Sequence, residues 1–234
     1  MAKDVIRMRD NSSRRQQLPE EVAGYVRELI LSGEVRPGEF LRMEPIAEAV
    51  GVSNTPVREG LLTLSSEGFV ELVPRRGFVV APVSQQDIRD LFWTQAQLAA
   101  ELAARAAKKI TSERIARLEE IDEEFRAAED AGDHEALGAL GHQFHREINL
   151  AADSRRLTLL LSAVVKHLPN RFYASIESQV AATHNDHPEL IEALRSRSVR
   201  KARSLTEKHI LAGADGVIQL LEQRGLWDAR ESAS

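Results

Sequence analysis

One stretch limits the possible folds of this chain more than any other: Gly51-Val52-Ser53-Asn54-Thr55-Pro56-Val57-Arg58-Glu59-Gly60-Leu61-Leu62. Gly51 supplies the left-handed backbone that a tight turn needs. Ser53 is a natural N-cap, because its hydroxyl can accept from the free amides of a first helical turn. Pro56 fits near a helix start, where no backbone donor is required. Val57, Leu61, Leu62 and Leu64 recur at helical spacing and predict one apolar face. Opposite them, Asn54, Thr55 and Arg58 gather with Ser53 at the N-terminal end. A helix that packs by one side and offers Ser, Asn, Thr and Arg on the other suits a DNA major groove. There such side chains reach phosphates and base edges.

The residues just before supply a partner. Glu44-Pro45-Ile46-Ala47-Glu48-Ala49-Val50 is short and amphipathic, with Ile46, Ala49 and Val50 expected to face inward. Helix, glycine turn and helix make a helix-turn-helix pattern, which also describes many ordinary packed pairs. The next residues separate the two readings. Phe69-Val70-Glu71-Leu72-Val73 and Phe78-Val79-Val80-Ala81 are strand-like runs flanking Pro74-Arg75-Arg76-Gly77, a turn with adjacent arginines. A short, basic, two-stranded hairpin straight after the second helix is the wing of a winged helix-turn-helix.

With those residues in view, positions 18 to 82 resemble the DNA-binding domain of the GntR family of bacterial transcription regulators. The likeness runs from Leu18-Pro19 and Ile30 through Gly33-Glu34-Val35-Arg36-Pro37-Gly38 and Leu41. It continues through Thr55-Pro56-Val57-Arg58-Glu59, Leu64, Glu67-Gly68-Phe69-Val70 and Arg75-Arg76-Gly77-Phe78-Val79-Val80. The resemblance implies that Ser53, Asn54, Thr55 and Arg58 touch operator DNA from the recognition helix. Arg75 and Gly77 would then place the wing in or near the minor groove. The family often carries Arg where Asn54 stands. Asn favours adenine in bidentate contacts, so the operator is expected to differ at that base.

Charge bounds how such a domain binds. The chain has 234 residues, room for one large domain or two ordinary ones, and a net charge of −5. Residues 1–82 carry eleven Lys or Arg against twelve Asp or Glu, so neither half is basic overall. DNA binding must rest on a local patch of Arg42, Arg58, Arg75 and Arg76, with modest non-specific affinity. There is no cysteine, hence no disulfide or thiolate metal site. No apolar run approaches the ~20 residues of a membrane span, and no secretory signal opens the chain. A cytoplasmic location is expected.

Residues 1–17 are polar and read as a flexible arm, with a helix opening at Leu18-Pro19. After the Ala81-Pro82-Val83 linker, residues 84–226 show only helical periodicity. Helices are expected from Ser84 to about Lys108, from a Ser112 cap, from about His134 to Ala151, and after Asp153-Ser154. A further segment begins at Arg171, and two last helices start near Pro188 and Ser198. The fold class is mainly α: a winged helix-turn-helix followed by an all-helical antiparallel bundle.

All seven histidines lie after residue 133. His145 sits beside Phe144, His187 at a helix start, and His209 on the last helix. Three inward imidazoles could converge on one cation, though separated histidines carry no local signature and are usually hydrogen-bonded or surface groups. Residues 84 to about 224 resemble the helical effector domain named FCD, which accompanies the fatty-acid-regulator, FadR-like branch of the GntR family. The marks are Phe144-His145-Arg146, Ile148, Ala151, Leu157, His187 with Ile191-Glu192-Ala193-Leu194, and His209-Ile210. In metal-binding members the ligands are an Asp or Asn one turn before the first His, and three His. The resemblance implies one divalent transition metal, zinc or nickel, on His145, His187 and His209. Gly141 occupies the acidic position, which leaves three outcomes: a three-His site with an open position, substitution by His142, or no metal.

The same resemblance implies an effector site involving Gln95, where the family often has Arg, with Arg146, Asn149 and Arg171 as further polar groups. A small carboxylate is one class of effector. Dimerisation on a pseudo-palindromic operator is also implied. Three functions compete: a ligand-responsive DNA-binding regulator, a metalloenzyme using the three-His layout, and a DNA-binding protein with a vestigial pocket. The fused winged helix-turn-helix has no purpose in a hydrolase, and no carboxylate sits in a recognisable base position. That favours the regulator.

Overall fold

A computed structural model describes residues 2–168 and 183–227, with side chains placed for 17–168 and 186–227. The chain divides into two compact units. One spans Met1–Ser84 together with Leu221–Ser234, the other Gln85–Leu220.

In the first unit, α1 (Ala2–Leu31) packs against α3 (Asn54–Ser66), and α2 (Met43–Val50) bridges both. Val22, Ala23, Val26, Ile30 and Leu31 of α1 meet Val57, Leu61 and Leu64 of α3 in a core with no exposure at these residues. The contact is close because Gly60 lies against α1. A methyl added there would sit 2.7 Å from the Pro19 carbonyl oxygen. Gly51 caps α2 with φ 72°, the left-handed turn expected of it. Arg27 is buried, bonded to Glu67 at 2.6 Å and set 5.8 Å from the Phe69 ring centroid.

Several expectations are corrected here. The first helix starts at Ala2, with Pro19 inside it, so residues 2–17 are helical rather than an irregular arm. That segment contains no glycine and many good helix formers, which local polarity alone does not reveal. The sheet has three strands in the order β1-β3-β2: β1 (Phe40–Leu41), β2 (Val70–Val73) and β3 (Gly77–Val80), all antiparallel. The extra strand β1 pairs Phe40 with Val79 and Leu41 with Phe78. Leu62 is 43% exposed and Ala49 is exposed, because the buried stripes narrow to Val57, Gly60, Leu61 and Leu64 on α3 and to Ile46 on α2. Ser53 holds the N-cap position of α3 with extended backbone, but its side chain makes no cap hydrogen bond. The end of the chain belongs to this unit too. The Trp227 indole N–H donates to the Val83 carbonyl, and a methyl on Gly33 would lie 3.2 Å from the Arg224 carbonyl oxygen.

In the second unit, α4 (Gln85–Lys109) is central. Its buried alanines, among them Ala96, Ala99, Ala103, Ala106 and Ala107, let α6 (His134–Ala151), α7 (Arg155–Val165) and α8 (Thr183–Arg195) approach closely. The helix α5 (Ser112–Ala131) packs on α6 and α8, and α9 (Val199–Gln223) completes the described helices. Thr111, not Ser112, caps α5, accepting from the Arg114 amide at 3.4 Å; Asp133 caps α6, accepting from the Ala136 amide at 3.0 Å. The helix α8 begins five residues before the expected start and carries Pro188 as its sixth residue, past the first four free amides, so one intrahelical hydrogen bond is forgone there. Arg197 closes α8 at φ 53°, a position that usually takes glycine. Its guanidinium donates to the Lys108 carbonyl at 2.7 Å, beside the C-terminal end of α4. The segment expected to begin at Arg171 lies outside the described residues.

A polar recognition face and a three-histidine cluster

Ser53, Asn54, Thr55 and Arg58 are all exposed, at the N-terminal end of α3. Val57, between them, is fully buried, so the helix is anchored by the stripe that the sequence predicts while its polar residues face solvent. Arg42, Arg75 and Arg76 are exposed as well. The wing tip turns because the Arg76 amide donates to the Val73 carbonyl at 3.1 Å, around Pro74 and Arg75. Arg75 has φ 65° and Gly77 φ 103°. Proline second and a positive φ third is the demand of a type II turn, in which glycine normally fills the third place. Arg75 therefore holds a strained backbone at an exposed tip. Arg76 lies over the Phe40 ring, 4.5 Å from its centroid, so β1 steadies one of the two wing arginines.

In the other unit, His145 of α6, His187 of α8 and His209 of α9 meet. One ligand atom from each lies within 4.8 Å of the others. His145 Nε2 and His209 Nε2 are 3.2 Å apart. His187 is 1% exposed and stacks on Phe144 at 3.9 Å between centroids, with Phe125 edge-on at 5.1 Å. His209 Nδ1 is 3.1 Å from Asp186 Oδ2, and His187 Nδ1 is 3.4 Å from Asp122 Oδ1, beyond a formed hydrogen bond. His187 Nε2 is buried with no partner.

Charge is disfavoured on two of these rings. Burial holds His145 well below the ordinary histidine range, helped by the neighbouring His209, His187 and His142. Burial also lowers His187, although Asp122 opposes it. His145 and His187 are thus held toward the neutral form, the form that binds metal. The donor set fits a divalent transition ion. Tetrahedral nitrogens at the usual zinc distance stand about 3.3 Å apart, close to the 3.2 Å seen between His145 and His209. Both ring nitrogens of His187 lack a hydrogen-bond partner, and such an ion would take the lone pair of one of them.

The remaining candidates are spread differently. His142 is exposed and outside the cluster, so the structure gives no support to its substituting as a ligand; Gly141 is buried. Gln95 is buried on α4 and Asn149 half-buried on α6. Arg146 is exposed, 3.9 Å from Glu147, and Arg171 lies outside the described residues. Sequence reasoning missed Asp122, Asp186 and Thr206. Asp122 is 7% exposed on α5, and its spacing between Leu118 and Phe125, in an apolar stripe, was the available signal. Thr206 is 3% exposed, with its hydroxyl unpartnered, three residues before His209 on α9.

Residues 18–80 match the family described as bacterial regulatory proteins, gntR family, and residues 90–212, more than half of the chain, match the FCD domain. The chain belongs to the GntR family of bacterial regulatory proteins. Over 105 residues it is 31% identical to the HTH-type transcriptional regulator McbR of Escherichia coli K12, covering 45% of this chain and 48% of that one. It is 22% identical over 218 residues to the HTH-type transcriptional repressor RspR of the same strain, covering 92% and 96%. Among solved structures, E. coli McbR/YncC is similar with a TM-score of 0.63 at 22% identity, over 89% of this chain and 98% of that one. A putative GntR regulator from Rhodococcus sp. RHA1 gives 0.58 at 20% identity, over 86% and 97%. This regulator is a sequence-specific DNA-binding protein with an FCD effector-binding domain. Both families and these relatives are transcription regulators, not enzymes. No helix among the described residues is long and apolar enough to cross a membrane.

Proposed function

We propose that this regulator binds a pseudo-palindromic operator as a homodimer. Its operator affinity is set by a small-molecule effector bound beside one divalent transition metal, zinc or nickel, on His145, His187 and His209. The observation that carries the reading is His187, buried with both ring nitrogens unpartnered, and with one of them within 4.8 Å of nitrogens from two other helices. A buried polar atom left unpaired costs about 1–3 kcal/mol, so three helices have been arranged at a cost that a ligand would offset. A bound ion would supply positive charge and an open position for an effector oxygen. Thr206 and Gln95 would then contact the rest of the effector from α9 and α4. On the DNA side, Arg58, Asn54 and Thr55 read the major groove, Ser53 holds a phosphate, and Arg75 and Arg76 follow the backbone with the wing, joined by Arg42. Effector binding shifts the population between two placements of the DNA-binding units.

The deciding experiment is the metal content of untagged protein purified without added metal, followed by operator titration with a panel of small carboxylates. About one first-row metal per chain and a carboxylate-dependent change in operator affinity are expected. No metal even after incubation with zinc or nickel would overturn the metal-assisted reading. His187→Ala should blunt the effector response and spare unliganded operator binding. Arg58→Ala should weaken operator binding by about 1–3 kcal/mol, and an unchanged affinity would refute the docked helix.

A further inference from the structure

Two carboxylates beside the histidine cluster are unexplained by packing. Asp122 is buried on α5, in a stripe otherwise filled by Leu118, Ile121 and Phe125. Asp186 is half-buried at the start of α8. Each faces the Nδ1 of one clustered histidine, Asp186 at 3.1 Å from His209 and Asp122 at 3.4 Å from His187. We propose that Asp122 and Asp186 are positioning residues that hold His187 and His209 in the tautomer whose Nε2 lone pair faces the metal. The inference rests on the metal-assisted reading above and adds which residues make it work.

The hydrogen bookkeeping is constrained. An ionised carboxylate only accepts, so His209 donates from Nδ1 to Asp186 and leaves Nε2 as an acceptor. The 3.2 Å contact between the two Nε2 atoms then requires His145 to donate from its own Nε2 while no ion is bound. His145 alone changes tautomer when an ion arrives, and the other two rings are already set. At His187 both ring nitrogens lack a formed hydrogen bond, and Asp122 Oδ1, 3.4 Å from Nδ1, is the acceptor that would draw the proton there and leave Nε2 bare. The other Asp122 oxygen meets Arg126 at 2.9 Å, which fixes the carboxylate with Oδ1 turned toward the His187 ring. With an ion on the far side of that ring, the three would form the carboxylate–histidine–metal arrangement common to zinc sites.

The test uses the full chain, stripped of metal, in competition with a chromophoric chelator for zinc. Asp122→Ala and Asp186→Ala should each weaken zinc binding roughly 10–100-fold. Asp122→Asn and Asp186→Asn, which keep an acceptor but lose the charge, should recover part of that loss. In the zinc-free protein, nitrogen-15 correlation spectra of the imidazoles should show Nδ1–H on His187 and His209 in the parent and a mixture in the Ala variants. A merely structural role would move neither readout while circular dichroism stays native. If Asp122→Ala fails to fold, the half-buried Asp186→Ala carries the test. Zinc affinity and tautomers unchanged in the Ala variants would overturn the assignment. A parent protein that binds no zinc would instead sink the metal reading, and the tautomer spectra would still judge the positioning.

Discussion

Replacing Gly60 with Ala tests how the recognition helix is held. The new methyl would lie 2.7 Å from the Pro19 carbonyl oxygen and 2.8 and 2.9 Å from Val22 Cγ1 and Cβ. Two terms favour the alanine: about 1 kcal/mol of helix propensity and about 0.8 kcal/mol for one buried methyl. One opposes it. Overpacking costs about 1–3 kcal/mol, and here the obstacle includes the backbone of α1, which cannot swing aside as a side-chain end can. The upper end applies, so α1 and α3 separate and the unit loses roughly 1–2 kcal/mol net. The chain's two tryptophans make the assay specific, since Trp227 belongs to the DNA-binding unit and the exposed Trp93 to the bundle. In a Trp93→Phe background, urea unfolding followed by Trp227 fluorescence should show a midpoint lowered by about 0.5 M or more. A midpoint equal to or above that of the parent would refute the close-contact argument, because propensity would then have won.

Three further outcomes follow from the same kind of reasoning. Arg75→Gly should relieve the positive φ of the wing tip and stabilise the unit by about 1 kcal/mol. It should also weaken operator binding and lower the salt dependence by about one phosphate contact; an unchanged salt slope would show that Arg75 does not touch DNA. Thr206→Val keeps the shape and removes a buried hydroxyl with no partner. It should raise the melting temperature of the effector-free protein, by about 1 kcal/mol of stability, while diminishing the effector response; a lower melting temperature would mean the hydroxyl is already satisfied. The third concerns acid. His145 and His187 lie below their ordinary 6.5, so below pH 6.5 the unfolded chain binds more protons than the folded one. Stability present above pH 6.5 is lost as pH falls, at about 1.4 kcal/mol per unit for each ring. Asp122 and Asp186 are lowered from 3.8, so their contribution disappears only in stronger acid. Metal-free protein should lose urea resistance between pH 6.5 and 5, and a flat profile there would show that the rings protonate inside the fold.

Much of the DNA-binding unit was legible because its signals are local. Gly51 at the turn and the Val57–Leu64 stripe each act within one helical turn of themselves, as does the Pro74–Gly77 hairpin. What was missed depends on partners far along the chain. Phe40-Leu41 is too short to show alternation and becomes a strand only because β3 offers its edge. Leu62 belongs to the apolar spacing by sequence but not by geometry, since Gly60 draws α3 onto α1 and turns Leu62 out. The polar start of α1 has no periodicity that separates a helix from an irregular arm.

The histidine cluster marks the limit of sequence reasoning in the other direction. Each histidine could be placed on a helix, yet 64 residues separate two nitrogens that stand 3.2 Å apart. Only the packing of α6, α8 and α9 decides that they meet. The acids that face them were hidden for opposite reasons. Asp122 occupies a core position where a hydrophobic residue is expected, and Asp186 looks like any acidic residue in a first helical turn. Places where this chain breaks local rules coincide with its two candidate sites. A strained Arg75 sits at the wing tip, and a bare His187 nitrogen, a buried Asp122 and an unbonded Thr206 hydroxyl sit in one unit's interior. A fold with caps at α5 and α6 and glycine at the Gly51 turn retains such exceptions where something offsets them: binding at these sites, and at Arg197 the bond to the Lys108 carbonyl. That is why stabilising substitutions at Arg75 and Thr206 are expected to cost function, and why the same gain at Gly60, a position of pure packing, is not available.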